Sequence, residues 1–257
     1  MRISLDVRKS VDENASSYFE LSKKDKKKIE GVRKVILEHS GKLKDFLERE
    51  EEKALRQKPA PKRRLEWFEK FRWFISSDGF LIIGGRDAAT NEIVMKKHAD
   101  PDDLVFHTDM AGSPFVVVKR EGKGIIPKST LEEAAKFTAA FSRGWKNNMA
   151  AIAVFYVKPE QATKTPNPGE SLPKGAFVIR GETKYFHPGM EYAVGMADGR
   201  VMGGPVSAVK KHCDNYLEIG QGDSKTSDVA KAVQKAIGGG LDEILRVLPQ
   251  GCKIKKR

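Results

Sequence analysis

The sequence contains little cysteine and no long apolar run. Only Cys213 and Cys252 occur among 257 residues, which is too few for a metal cluster held by cysteines or for the disulfide framework of a secreted scaffold. No apolar run approaches the roughly 20 residues that cross a bilayer, and the chain does not open on a signal-peptide pattern. These absences predict a soluble, cytoplasmic protein with no membrane partner.

The motifs of several enzyme classes are also absent. The sequence has no nucleophile elbow, no phosphate-binding loop and no zinc-ligand spacing. Gly203-Gly204 and Gly238-Gly239-Gly240 are rich in glycine, but neither lies between a strand and a helix with dinucleotide-binding spacing. We interpret both as turns or caps. We therefore predict no catalytic residues, no metal ion and no cofactor.

Positive charge is what the sequence has in excess. Lysine and arginine number 47 against 35 aspartate and glutamate residues, for a formal net charge of +12. This balance favours a polyanionic partner, nucleic acid above all. The alternative is a densely charged surface adapted to heat or salt, because ion-pair-rich surfaces are common in thermophiles. The length suffices for one large or two small domains with a real core.

Residues 1–64 have the pattern of one long, basic helix. Ser10-Val11-Asp12-Glu13 has the spacing of a capping box, which predicts a helix start, and Pro59 and Pro61 would end the helix. Apolar residues between them follow the three-and-four spacing of a heptad seam, at Ile29, Val32, Ile36, Leu43 and Phe46. We predict a short coiled-coil extension that packs on a partner helix or on the main domain, with a possible homo-oligomer as one outcome.

Residues 65–190 begin with an aromatic segment. Trp67 to Ile75 is rich in Trp and Phe, Asp78-Gly79 predicts the turn of a hairpin, and the run ends on Gly84-Gly85-Arg86-Asp87. The glycine pair allows a sharp turn or a close approach of the backbone. Arg86 then offers a planar cation suited to a phosphate or a base edge. The alternative is an ordinary hairpin whose aromatic side chains form the core.

The remainder of this domain alternates strand and helix patterns. Asp87 is placed to cap a short helix, and Ser129-Thr130-Leu131-Glu132 has the spacing of a second capping box, which predicts a helix through about Arg143. Lys158 to Gly175 is a long loop rich in proline and glycine, and loops of that length are usually functional or disordered. Strand patterns occupy residues 104–107, 115–119, 150–157 and 177–180.

Residues 191–257 predict a C-terminal α/β extension packed on this domain. Asp198-Gly199 indicates a hairpin and Tyr216 to Ile219 a strand. A helix over 227–237 would end at the glycine run from Gly238, and a second helix over 241–248 follows. The predicted fold class is therefore α+β, with a mixed, mostly antiparallel sheet, flanking helices and a long N-terminal helix before them.

The sequence His107-Thr108-Asp109 places an imidazole and a carboxylate at the end of a predicted strand. Such a pair could transfer protons, which leaves an RNA-processing or RNA-modifying enzyme as an alternative function, or could hydrogen-bond a ribose or a base. The alternative is a structural histidine bonded to neighbouring backbone. Lys164 and Arg180 are cations next to flexible backbone, so they either contact phosphates or belong to a solvated loop.

Several separated blocks of the sequence occur in the order found in one protein family. The blocks are 67–77, 84–87, Asn91-Glu92, 107–112, 161–164, Gly169-Glu170 and 175–181. Together they resemble the NFACT-R domain, the RNA-binding module of the NFACT proteins, which include the nuclear export mediator factor, bacterial RqcH and fibronectin-binding-type proteins. The N-terminal segment resembles the start of the family's coiled-coil region and the C-terminal segment the tail of archaeal versions.

The resemblance implies an RNA partner, either tRNA or large-subunit rRNA. Full-length relatives bind the large ribosomal subunit at stalled, split ribosomes and recruit charged tRNA, which relates the family to ribosome-associated quality control. No counterpart of the family's large N-terminal domain precedes Leu5, which implies a stand-alone protein or a fragment that does not synthesise tails alone. Ala111 stands where many relatives carry a histidine, so no two-histidine catalytic or metal site is implied.

Net charge and the resemblance together predict RNA binding without readout of base sequence. A protein-interaction module acting through the N-terminal helix is the remaining alternative. Phosphate contacts are predicted at Arg86, Lys96, Lys97, Lys164, Arg180 and Lys184, and polar contacts to sugar or base at Asp87, Asn91, His107 and Asp109.

Overall fold

The computed structural model describes residues 3–56, 64–110, 112–166, 169 and 171–255. Two compact units make up the chain, residues 1–64 and residues 65–257. The predicted helix-ending prolines Pro59 and Pro61 and the family position Ala111 lie outside the described residues.

The first unit is dominated by one helix, α1 (Val11–Arg56). Its start has the predicted capping box: the Glu13 amide donates to Ser10 Oγ at 3.2 Å, and the Ser10 amide donates to Glu13 Oε2 at 2.7 Å. The predicted apolar seam is exposed, since 58% of the Val32 surface and 62% of the Ile36 surface are accessible to solvent. Pairing of α1 with another helix stays a prediction.

The second unit combines antiparallel sheets with flanking helices, and this confirms the predicted α+β class. Its helices are α2 (Ala88–Lys97), α3 (Lys128–Ala140), α4 (Arg143–Lys146), α5 (Val206–His212), α6 (Thr226–Ile237) and α7 (Leu241–Val247), with 3-10 turns at Trp67–Lys70 and Pro159–Gln161. Its strands are β1 (Arg72–Ile75), β2 (Leu81–Gly84), β3 (Leu104–Thr108), β4 (Val116–Val118), β5 (Val154–Val157), β6 (Ala162–Thr163), β7 (Val178–Ile179), β8 (Lys184–Phe186), β9 (Tyr192–Ala197), β10 (Arg200–Gly204), β11 (Tyr216–Ser224) and β12 (Cys252–Ile254).

Three sheets organise the strands. The largest has the order β1-β2-β4-β3-β5-β8, the second β10-β9-β11-β12, and the third pairs β6 with β7. The predicted hairpin is confirmed, because β1 pairs with β2 in antiparallel register and Gly79 turns at a φ of 84°. The strand predicted over 150–157 begins only at Val154 and lies between β3 and the edge strand β8.

The core of the second unit is aromatic. Phe74 of β1, Phe137 of α3 and Tyr192 of β9 are buried and lie close together, with the Phe137 ring 4.7 Å from Phe74 and 6.4 Å from Tyr192. Burying such large rings is among the strongest contributions to a core. The aromatic segment is therefore mainly structural, although Trp67 at its start keeps 42% of its surface exposed.

The second predicted capping box is wrong. Helix α3 starts at Lys128 with Pro127 in the capping position. The Ser129 and Thr130 hydroxyls donate instead to Asp78 Oδ2, at 2.5 and 2.7 Å. Ser129 lies inside the first turn of α3 rather than before it, so its hydroxyl does not cap the helix and instead makes a charge-assisted hydrogen bond to the carboxylate on the neighbouring hairpin turn.

Helix α3 is also shorter than predicted. It ends at Ala140, and a separate short helix, α4, follows where the sequence predicted one continuous helix through Arg143.

In the described ranges, no helix combines the length and apolarity needed to cross a bilayer.

Candidate nucleic-acid interface

A cleft of about 1280 Å³ lies beside the largest sheet. Its walls come from parts of the chain that are distant in sequence. They are residues 85–88 at the start of α2, residues 107–109 and 112–115 at and after the end of β3, the junction of α3 and α4, the loop 173–177 and the edge strand β8. Concave sites with a few polar groups on apolar walls are the usual form of a binding site.

Gly85 and Asn91 line the cleft and approach each other closely. A Cβ on Gly85 would lie 1.9 Å from Asn91 Oδ1, so only glycine fits. That oxygen accepts the Phe115 amide at 3.1 Å. Asp87 caps α2 by accepting the Thr90 amide at 2.8 Å, and this hydrogen bond lowers the pKa of the Asp87 carboxyl. Asn91 and Asp87 therefore shape the site as well as lining it.

Two partly buried arginines line the cleft, Arg86 as predicted and Arg72 in addition. Arg86 Nη2 donates to the carbonyls of Phe71 at 3.0 Å and Glu69 at 3.3 Å. Arg72 donates to the Gly85 carbonyl. Burial lowers the pKa of Arg72 to about 10 and lowers that of Arg86 as well, while the nearby Asp87 carboxylate acts in the opposite direction on both. Among the described residues, no carboxylate forms a salt bridge with either guanidinium.

Three further cations on the walls were missed by sequence reasoning. Arg143, Lys146 and Lys174 line the cleft, and all three are exposed. Together with Arg72 and Arg86 they give five cations against two carboxylates, those of Asp87 and Asp109. Arg143 and Lys146 fall on a short helix that the sequence did not predict, and their position on the wall depends on contacts between distant segments. The charge excess therefore suits an anion.

His107 is held by backbone on both sides of its ring. Nδ1 lies 2.6 Å from the Thr108 carbonyl oxygen and Nε2 3.2 Å from that of Ser113, while the ring stacks on Phe115 at 4.3 Å. Burial lowers the pKa of His107, which favours the neutral imidazole. The Asp109 carboxylate instead accepts the Tyr185 hydroxyl at 3.4 Å. This geometry favours the structural role of His107 over general-base catalysis.

The other predicted contact residues do not line the cleft. Lys164 pairs with Glu92 at 2.6 Å and lies 4.3 Å above the Phe177 ring, and Lys96 is 4.0 Å from the same carboxylate. Arg180 donates to the Thr165 carbonyl at 3.3 Å. The structure thus groups Arg86, Asp87, Asn91, His107 and Asp109 in the cleft and places Lys96, Lys97, Lys164, Arg180 and Lys184 outside its lining.

The two cysteines offer no reactive thiol. Cys213 and Cys252 are both buried and unpaired, and burial raises the pKa of each to about 11. Within the described part of the chain, no group of three or more His, Cys, Asp or Glu side chains is arranged to hold a metal ion.

The segment that forms most of this cleft matches a known protein family. Residues 70–181 match the NFACT-R family, described as the NFACT protein RNA binding domain. The chain belongs to the NFACT-R domain proteins. Most residues that line the cleft fall inside the matched range, whereas Thr183, Tyr185 and Gln250 fall outside it.

Relatives match over much or all of the chain. The archaeal Rqc2 homolog aRqcH of Methanocaldococcus jannaschii is 40% identical over all of this chain and 40% of its own length. The human ribosome quality control complex subunit NEMF is 36% identical over 68% of this chain and 16% of its own. The chain therefore spans two fifths or less of these relatives. The C-terminal part of a fibronectin/fibrinogen-binding protein from Streptococcus suis has a TM-score of 0.40 at 19% identity, over 52% of this chain and 50% of that one.

Proposed function

We propose that this protein binds RNA in the cleft through phosphate contacts. The observation that carries the proposal is the pair Arg72 and Arg86, which are partly buried beside Asp87 yet form no salt bridge with any described carboxylate. A buried charge is costly unless an opposite charge approaches it. A phosphate group supplies that charge and accepts the planar donors of arginine.

The exposed cations of the walls extend the same surface. Arg143, Lys146 and Lys174 are free to turn towards a polyanion, and contacts of this kind supply most sequence-independent affinity for nucleic acids. Cations outside the cleft lining, such as Arg180 and Lys184, remain proposed as flanking phosphate contacts. Asp109 remains proposed for polar contacts to sugar or base, whereas both ring nitrogens of His107 already lie close to backbone oxygens.

The RNA we propose is tRNA or large-subunit rRNA, and the setting is quality control on the ribosome in the cytoplasm. Support comes from the names of the relatives, which are an archaeal Rqc2 homolog and subunits of ribosome quality control complexes. Because the chain spans only part of those proteins, the large ribosomal subunit is proposed as its partner and tail synthesis is not assigned to it.

A salt titration of RNA binding tests the proposal. We expect the affinity of the full chain for tRNA, measured by fluorescence anisotropy, to fall linearly with salt on a logarithmic plot. The double variant Arg143→Gln with Lys146→Gln should bind about 10-fold more weakly and reduce the salt slope by about 1.5, since each lost phosphate contact removes roughly 0.7 to 0.9.

The control removes the same charge elsewhere in the same unit. Lys210 and Lys211 are exposed on α5 and do not line the cleft. Lys210→Gln with Lys211→Gln should leave affinity and slope within about twofold of the unchanged protein. Equal losses in both double variants would show that net charge, not the cleft, binds the RNA, and a flat salt response would reject phosphate contacts altogether.

A further inference from the structure

We propose that the cleft accepts an unpaired nucleotide, with its base against Tyr185 and its phosphate on the wall formed by Arg143 and Lys146. The protein would then select single-stranded or extruded nucleotides over a continuous duplex. This inference rests on the proposed RNA binding and specifies its substrate class.

Tyr185 is an open aromatic surface on one wall of the cleft. It lies on the edge strand β8 and keeps 49% of its surface exposed. Its ring meets that of Phe155 in a T-shaped contact at 5.9 Å. Among the described residues, no ring stacks parallel to it and no cation lies over it. An exposed ring of this kind is the usual platform on which a nucleic-acid base stacks.

The other rings of the lining are already covered. Arg72 lies 4.4 Å above the Phe141 ring and Lys164 lies 4.3 Å above that of Phe177. His107 stacks on Phe115 at 4.3 Å. Phe155 is 6% exposed. Tyr185 is therefore the lining aromatic residue best able to receive a base.

Charge assigns the parts of a bound nucleotide to different side chains. The Asp109 carboxylate accepts the Tyr185 hydroxyl at 3.4 Å, so the group beside Tyr185 repels a phosphate. A carboxylate accepts hydrogen bonds from base amino groups or from the ribose 2′-hydroxyl. Arg143 and Lys146, from the α3–α4 junction, supply cations for the phosphate.

The size of the cleft suits an unpaired nucleotide. Its volume of about 1280 Å³ exceeds the roughly 300–1,000 Å³ of pockets that hold drug-sized ligands, so a nucleotide and its neighbours fit. In an A-form duplex the base faces are stacked on each other and are not available to a protein side chain. Contact with Tyr185 therefore requires a base that has left the stack.

Binding to matched RNA forms tests this inference. The full chain is titrated with a labelled single-stranded RNA and with a blunt duplex of the same length. We expect tighter binding of the single strand. Tyr185→Ala should weaken single-strand binding about fivefold or more, leave duplex binding unchanged and leave the salt slope unchanged, because stacking involves no ion release.

Two further variants separate stacking from a structural effect. Tyr185→Phe keeps the ring and should recover most of the loss, which also shows that the edge strand tolerates substitution. Trp67→Ala removes an aromatic residue that is 42% exposed but lies outside the cleft lining, and should not change binding of either RNA. Thermal unfolding followed by circular dichroism verifies that each variant is folded.

The outcomes distinguish this inference from the proposed function. Equal affinity for single strand and duplex, or an equal effect of Tyr185→Ala on both, would overturn the nucleotide site while the losses in the Arg143 and Lys146 double variant still support RNA binding. Absence of binding to any RNA at about 50 mM salt would reject both.

Discussion

The two units of this protein use the same residue types in opposite environments. Val32 on α1 keeps 58% of its surface exposed, whereas Ile82 on β2 is fully buried. Lys42 and Glu38 on α1 form an ion pair with side chains 66% and 61% exposed, whereas Lys119 and Asp103 form one at 5% and 1%. The contrast teaches that the energy of a contact depends on its solvent exposure more than on its distance.

The buried ion pair provides the largest expected difference between the units. Lys119 also donates to Asp100 Oδ2 at 2.6 Å and to the His98 carbonyl at 2.9 Å, so it joins the chain between α2 and β3 to the end of β4. Lys119→Ala leaves the Asp103 carboxylate buried without its cation. We expect a loss of about 3–5 kcal/mol in the free energy of unfolding, measured by urea titration with tryptophan fluorescence.

The matched variant on α1 is Lys42→Ala. The Lys42–Glu38 ion pair has an N–O distance of 2.7 Å but is exposed to water. We therefore expect the free energy of unfolding to change by about 0.5 kcal/mol or less, measured by far-ultraviolet circular dichroism. Comparable losses in the two variants would contradict the role assigned to burial.

Glycine-to-alanine substitutions test the same comparison, because the sign of the change in stability should differ between the two units. In Gly85→Ala the new Cβ would lie 1.9 Å from Asn91 Oδ1, and the Asn91 bond to the Phe115 amide would break. We expect a loss of about 2–3 kcal/mol in urea unfolding. RNA binding should weaken as well, since Gly85 and Asn91 line the cleft.

Gly41→Ala is the counterpart on α1. A Cβ there meets nothing within 4 Å, and Gly41 lies inside the helix. Alanine loses less backbone entropy in a helix, so we expect α1 to gain about 0.5–1 kcal/mol in stability, seen as a higher midpoint of helix unfolding by circular dichroism. Destabilisation by Gly41→Ala would indicate that this face of α1 packs against a partner.

Local signals account for the parts of the fold that the sequence predicted well. The Ser10 capping box, the turn at Asp78-Gly79 and the helix end at Gly238 each involve residues that are close in sequence. The second capping box failed because α3 begins before Ser129, whose hydroxyl donates to Asp78 from 51 residues away in the chain. A pattern of four residues cannot show such a distant acceptor.

Only some residues of the candidate site could be predicted from the sequence, for the same reason. Arg86 and His107 were recognised because they follow strands and fall in blocks that resemble a family. Arg143, Lys146 and Tyr185 join them through sheet pairing and helix packing between distant segments. Their sequence neighbourhood carries no motif, so only the fold could group them. Lys164 was predicted as a phosphate contact from its sequence surroundings, but its charge is paired with Glu92 and it does not line the cleft.

The smallest expected effect concerns the pH dependence of stability. Burial holds the pKa of His107 below its ordinary value of 6.5, so the folded protein binds this proton less readily than the unfolded chain. Stability associated with His107 is therefore complete above about pH 6.5 and is lost as the pH falls towards the lowered pKa. In His107→Asn the free energy of unfolding should depend less steeply on pH below about pH 6.5. Burial also lowers the pKa of His98, but that residue is present in both proteins, so the difference between them isolates His107. A pH profile of His107→Asn as steep as that of the unchanged protein would contradict the role assigned to burial of this imidazole.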